Sequence, residues 1–176
     1  MSGSQADYTA GLDDFVPAGE VEAYLREPGK LTDILGALLG DDDDEIDAQQ
    51  LVDRYSVVFA ILVAIDHGAY IGRFLPHESL RDARLPFAER PRRFPNQGVS
   101  DTFFQQFQIE QARFCAPKIY EGTYKFEREE RLPFLERKLV GEGGSAKVYR
   151  VKLHANHDYL NGPKSPVSFI EYTWTM

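Results

Sequence analysis

A glycine-rich segment late in the chain has the residue types of a phosphate-binding turn. Its pattern over residues 139–148 is Leu-x-Gly-x-Gly-x-x-Ala-x-Val. Glycines have no Cβ, so their backbone can lie close over phosphates and present N–H groups to them. The residues of this candidate phosphate site are Leu139, Gly141, Glu142, Gly143, Gly144, Ser145, Ala146 and Val148. The elements on either side of the turn decide which kind of site it is.

The flanks of this turn favour a strand on each side. A dinucleotide-binding fingerprint runs from strand to turn to helix. Here the residues after the turn alternate in polarity, with Tyr149, Val151 and Leu153 on one side. A period of two, rich in Val and Tyr, predicts a strand. A Walker A loop is excluded, because its glycine and lysine spacing does not fit these residues. We therefore predict a β-hairpin near residues 136–154.

A glycine turn between two antiparallel strands resembles the nucleotide flap of the protein kinase fold. The resemblance implies that Leu139 and Val148 clamp the adenine ring and that Gly144 and Ser145 form the tip of the flap. Ala146 stands where the family's third glycine is expected. A glycine hairpin with a purely structural role is the alternative.

The resemblance extends to earlier segments of the chain. They look like the front portion of a group of fungal protein kinase-like proteins, in which a helical region precedes the kinase lobe. The segments concerned are residues 73–77, 82–87, 104–117, 132–134 and 141–154. The resemblance implies a serine/threonine kinase-type small lobe with ATP and magnesium as ligands.

Several catalytic parts of that fold are not found after Leu153. Phosphoryl transfer there uses a lysine on the third strand, a His-Arg-Asp loop and an Asp-Phe-Gly magnesium site. Lys164 lies in a predicted turn, and the expected third strand, near residues 165–171, has no lysine. We therefore expect a truncated kinase-like fragment that binds ATP weakly and does not transfer phosphate. Magnesium is expected only in a full-length relative, and neither catalytic residues nor metal ligands are predicted here.

Composition excludes several classes of protein. The 176 residues have a formal net charge of −8, whereas binding to duplex nucleic acid needs a basic face. The longest unbroken apolar run, residues 57–65, has nine residues, and a membrane span needs about twenty. Cys115 is the only cysteine, so no internal disulfide can form. We expect no nucleic-acid partner, no membrane insertion and a cytoplasmic location, with a nuclear location as the alternative.

The periodicity predicts an α+β fold, with a helical N-terminal segment followed by the first β-hairpin of a kinase-type small lobe. Helices are predicted near residues 20–26, 31–39, 44–67 and 101–115, where apolar side chains recur at helical spacing. The predicted divisions are a disordered acidic leader at 1–18, a helical region at 19–130 and a partial kinase small lobe at 131–176.

A second function class fits the same sequence. The chain is then a non-catalytic helical module that binds a protein partner, and the hairpin only packs against other residues. His154, His157 and Asp158 have types that bind metals, but in this sequence they are interpreted as an ordinary polar loop. The acidic run at 41–45 lacks the alternating oxygens of a calcium loop and is interpreted as a solvated loop.

Overall fold

The computed structural model describes residues 14–40, 46–95, 102–122, 124, 130–144 and 146–160, and the backbone of residues 169–175. Several sequence predictions lie outside these described residues. They are residues 1–13 of the predicted leader, the acidic run at 41–45, the start of the last predicted helix at 100–101, Ser145, and the turn around Lys164.

The chain has an α+β fold, as the sequence predicts, and forms two compact units. One unit, here called the helical unit, spans Ala18–Cys115. The other, here called the sheet unit, combines Met1–Pro17 with Ala116–Met176. The boundary between the two units falls between Cys115 and Ala116, earlier in the chain than the predicted boundary between residues 130 and 131.

Four α-helices form the helical unit. They are α1 Glu20–Leu25, α2 Lys30–Leu39, α3 Ala48–Ala64 and α4 Thr102–Phe114. Gly40 ends α2 with a φ of +64°, a left-handed conformation that favours glycine. Asp47 caps α3 by accepting a hydrogen bond of 2.9 Å from the Gln50 N–H. Because of this cap, α3 begins later than the predicted residue 44. None of the helices in the described part of the chain combines the length and apolar character needed to span a membrane.

The core of the helical unit is built around α3. The stripe that predicts this helix is Leu51, Tyr55, Val58, Leu62 and Ile65. Its first four residues are fully buried, and Ile65 is partly buried against the same core. An aromatic cluster from α4 and the segment before it packs against the same core. The Cys115 thiol lies just after α4, and burial raises its pKa to about 12. It is therefore a packing residue and not a reactive thiolate.

The sheet unit contains a three-stranded antiparallel sheet in the order β1-β2-β3. The strands are β1 Phe134–Glu142, β2 Ala146–Leu153 and β3 Phe169–Thr175. The predicted hairpin is thus present as β1 and β2. The third strand lies slightly later than the predicted residues 165–171, and no lysine occurs in its sequence.

Candidate functional site: the glycine turn of the hairpin

The glycine turn joins β1 and β2 through a short loop. The Gly143 N–H donates a hydrogen bond of 2.8 Å to the Ala146 carbonyl. Before the turn, Gly141 pairs with Val148 and Glu142 pairs with Lys147. The structure therefore brings the predicted glycines to one strand end. Ala146 takes its position without a positive φ, so the alanine that stands where the predicted motif has a third glycine is not strained.

Neither backbone conformation nor packing requires glycine at this turn. The glycines with positive φ in the described chain are Gly19, Gly29, Gly40 and Gly122, none of which lies in the turn. A Cβ added to Gly141 would lie 3.7 Å from the Val148 Cβ, which is ordinary contact. At Gly143 the nearest described atom, the Ala146 carbonyl oxygen, would be 3.8 Å away, and at Gly144 no described atom outside its chain neighbours lies within 4 Å.

Glycine within a strand costs stability, because it restricts the most mobile backbone and contributes no side chain to packing. Gly141 lies inside β1, and Gly143 is the first residue after the end of β1. A glycine inside a strand marks either a bulge or a place where a ligand or another backbone approaches closely. Gly141 follows a register shift in β1, whereas Gly143 and Gly144 lie beyond the end of that strand.

The two residues predicted to clamp adenine lie on opposite faces of the hairpin. Cross-strand partners share a face, and successive residues of a strand alternate faces. Leu139 pairs with Tyr149, whereas Gly141 pairs with Val148. Leu139 therefore shares the face of Tyr149, and Val148 occupies the other face. The structure does not bring Leu139 and Val148 together.

A β-bulge at Val140 causes this separation. The register shifts between Leu139 and Gly141, so that Val140 is an extra residue in β1. Without the shift, continuing the ladder from Gly141 would place Leu139 opposite Arg150, on the face of Val148. The clamp was predicted from the kinase resemblance, and neither that resemblance nor sequence alternation indicates an extra residue in β1.

Charged side chains are ordered in rows across the hairpin. Lys152 Nζ lies 2.9 Å from Glu136 Oε1, and Lys147 Nζ lies 3.1 Å from Glu142 Oε1. Glu142, one of the predicted site residues, is therefore half of an ion pair at the turn. The Arg137 guanidinium stacks over the Tyr149 ring, with 3.9 Å between its central carbon and the ring centroid.

One row differs from the others, because Lys138 and Arg150 stand directly opposite each other. Both side chains are exposed. The alternation of β2 places them on the face that also carries Gly141 and Val148. Sequence reasoning missed these two residues, since nothing in a linear pattern tells which residues of two strands are partners.

The face of Tyr149 is covered from within the sheet unit. Val151 and Leu153 are fully buried and pack with Ile119 and Phe134. The backbone of Ile119 also bonds to the segment after β2, with its N–H 2.8 Å from the His157 carbonyl. Residues of the same unit on either side of the hairpin, Ile119 among them, therefore cover this face.

Hydrogen bonds within the polar loop after β2, and from this loop to Pro117, hold its two histidines. The Asn156 N–H donates to His154 Nδ1 at 3.2 Å, and His157 Nδ1 lies 3.1 Å from the Pro117 carbonyl oxygen. Burial lowers the pKa of His157, and the Phe15 ring meets both imidazoles edge-on. Within the described ranges no group of three His, Cys, Asp or Glu side chains could hold a metal ion.

Comparison of the chain with models of protein families, with curated proteins and with solved structures found no significant match. The kinase resemblance therefore remains a prediction based on the glycine turn and its two strands.

Proposed function

We propose that the hairpin of β1 and β2 is a nucleotide-binding flap of the protein kinase type, which holds phosphates without transferring them. The observation that carries the proposal is the set of glycines at the turn. Gly141, Gly143 and Gly144 are required neither by a positive φ nor by crowding. Their missing side chains leave the backbone accessible to a ligand, as a phosphate flap requires.

The chemistry of this turn suits the phosphates of ATP. The Gly143 N–H is already donated to the Ala146 carbonyl, so phosphate oxygens would meet the N–H groups of the tip from Gly144 onwards. Val148 contributes an apolar side chain on the face of the hairpin that also carries Gly141. In a complete kinase, bound ATP donates its phosphoryl group to a substrate. The hairpin proposed here would only bind the phosphates.

The absence of transfer follows from the third strand. In kinases a lysine on that strand pairs with the α- and β-phosphates, and the sequence of Phe169–Thr175 has no lysine. We assign no magnesium ligand and no catalytic residue to this chain. Its affinity for nucleotide is expected to be weak, because a single flap contacts a ligand from one side only.

Nucleotide titration tests the proposal. We expect saturable binding of ATP and ADP by calorimetry and a clear loss of affinity in Gly143→Val. An added Cβ at Gly143 would make ordinary contact, 3.8 Å from the Ala146 oxygen, and a fold check on the variant separates lost ligand contact from unfolding. Gly36→Val is the matched control, because this glycine lies in α2 with nothing within 4 Å of an added Cβ.

The fold of Gly143→Val is checked by the fluorescence of Trp174, the chain's single tryptophan, which lies in β3 of the same unit. The fold of Gly36→Val is checked by circular dichroism at 222 nm, because α2 belongs to the helical unit. If the wild-type chain shows no saturable binding at millimolar ATP or ADP, the proposal is wrong. The helical interaction module with a structural hairpin would then be the better description.

A further inference from the structure

The row formed by Lys138 and Arg150 departs from the charge pattern of the rest of the hairpin. The two other rows with charged residues on both strands place an acid opposite a base, Glu136 with Lys152 and Glu142 with Lys147. Only the row of Lys138 and Arg150 places two cations opposite each other. Like charges directly opposite in an antiparallel pair destabilise a sheet.

The row of Lys138 and Arg150 lies close enough to the glycine turn for its positive charge to contact a ligand there. Lys138 and Arg150 lie one cross-strand row away from Gly141 and Val148 along the same face of β2. Directly opposite residues have Cβ atoms about 5 Å apart, so two long cationic side chains can converge on one anion. No described residue forms an ion pair with Lys138. On its other side, Arg150 of β2 lies opposite Glu171 of β3. Lys138 is at the other end of this row, on β1 at the edge of the sheet.

The same register argues against recognition of the base. The bulge at Val140 puts Leu139 on the face of Tyr149, so Val148 has no apolar partner from Leu139 on its own face. An adenine ring at Val148 would therefore lack the two-residue clamp of the kinase pattern. Charge and an accessible backbone are what this face offers to a ligand.

We infer that the face of Gly141 and Val148 recognises the polyphosphate group of its ligand, through Lys138 and Arg150, and does not discriminate between bases. This inference rests on the proposed function, because it assigns the ligand class of the same flap. The ligand class is a nucleoside triphosphate of any base or a free inorganic polyphosphate. Guanidinium and ammonium groups bind phosphate by charge-assisted hydrogen bonds.

Titrations with inorganic tripolyphosphate, ATP, GTP and adenosine separate phosphate from base recognition. We expect tripolyphosphate, ATP and GTP to bind with affinities within about threefold of one another, because charge dominates recognition of phosphates. Adenosine should not bind. Binding should weaken as the sodium chloride concentration rises, because salt screens the attraction between exposed charges. The screening length is about 10 Å at 0.1 M ionic strength and shortens as salt is added.

Substitutions of the cation row give a second, independent readout. Lys138→Gln should weaken ATP and tripolyphosphate binding by about threefold to tenfold, the range expected for one exposed charge-assisted contact. The same substitution should raise the urea midpoint of the sheet unit, because it removes the repulsion from Arg150. Lys147→Gln is the matched control, with the same change of charge on the opposite face of β2, and should leave binding within about twofold.

The outcomes distinguish this inference from the function on which it rests. If ATP binds but Lys138→Gln has no effect, or if adenosine binds and GTP does not, the phosphate-row inference is overturned and nucleotide binding stands. If tripolyphosphate and every nucleotide fail to bind, both proposals fail. Weaker binding together with a higher urea midpoint in Lys138→Gln supports the inference, since a merely structural lysine would not change the two properties in opposite directions.

Discussion

Asp82 is expected to be one of the most sensitive positions of the helical unit, although it lies on no α-helix. Its carboxylate accepts hydrogen bonds from the backbone N–H groups of Val57 and Val58, at 3.0 and 2.9 Å, and from the Ser56 hydroxyl at 3.1 Å. These amides lie in the middle of α3, where the usual acceptor is a carbonyl four residues earlier. A side chain from outside the helix thus accepts hydrogen bonds from two amides within it.

Asp82→Ala removes a carboxylate that accepts hydrogen bonds from two backbone amides of α3, both in a partly buried setting. A buried donor left without a partner costs about 1–3 kcal/mol, so two such amides give a loss of about 2–6 kcal/mol in the free energy of unfolding. The Ser56 hydroxyl can turn to a carbonyl of its own helix and is not counted. Glu89→Ala is the control, because it removes an exposed carboxylate from the same irregular stretch between α3 and α4.

Urea unfolding followed by circular dichroism at 222 nm measures this loss, because α1 to α4 all lie in the helical unit. A loss below about 1 kcal/mol in Asp82→Ala, the smallest cost of one orphaned donor, would refute the reasoning. It would show that carbonyls of α3 satisfy the amides without help from the carboxylate.

The pH dependence gives a second test of the same carboxyl. Burial raises the pKa of Asp82 above its ordinary value of 3.8, and its hydrogen bonds with the amides of α3 oppose this shift. The folded chain therefore holds the proton more tightly than the unfolded chain. This contribution to stability is present below pH 3.8 and is lost as the pH rises through the folded pKa. Asp82→Asn should remove this decline, and an unchanged pH profile in the variant would contradict it.

Two further predictions concern the sheet unit and are read from Trp174 fluorescence during urea unfolding. Burial holds the pKa of His157 below its ordinary 6.5, so this group's contribution to stability is lost as the pH falls from 6.5 through the folded pKa; His157→Gln should flatten that dependence, and an equally steep profile would contradict it. Leu153→Ala should cost about 2–5 kcal/mol, because this side chain is fully buried. Leu135→Ala, at a leucine that is 40% exposed, should cost far less, and equal losses would show that the assigned core is wrong.

Local periodicity was sufficient to predict the main elements of this protein. The stripe of Leu51, Tyr55, Val58 and Leu62 predicts α3 because residues at helical spacing share one face. The alternation after the glycine turn predicts β2 in the same way, with Val151 and Leu153 on the buried side. These patterns are local, so the sequence alone suffices to read them.

Pairing between distant residues was decided only by the tertiary structure. The bulge at Val140 moves the side chain of Leu139 to the opposite face of the hairpin. The residue pattern of one strand does not tell how that strand is aligned with its neighbour, so the sequence did not predict this change. The same holds for Lys138 opposite Arg150 and for Asp82 against the amides of α3, whose partners lie far away in the sequence. Sequence spacing determines which faces of an element are apolar or charged, because those faces follow from backbone geometry. Which groups meet across those faces depends on how the chain packs, and that is where the charge and hydrogen-bonding chemistry of this protein arises.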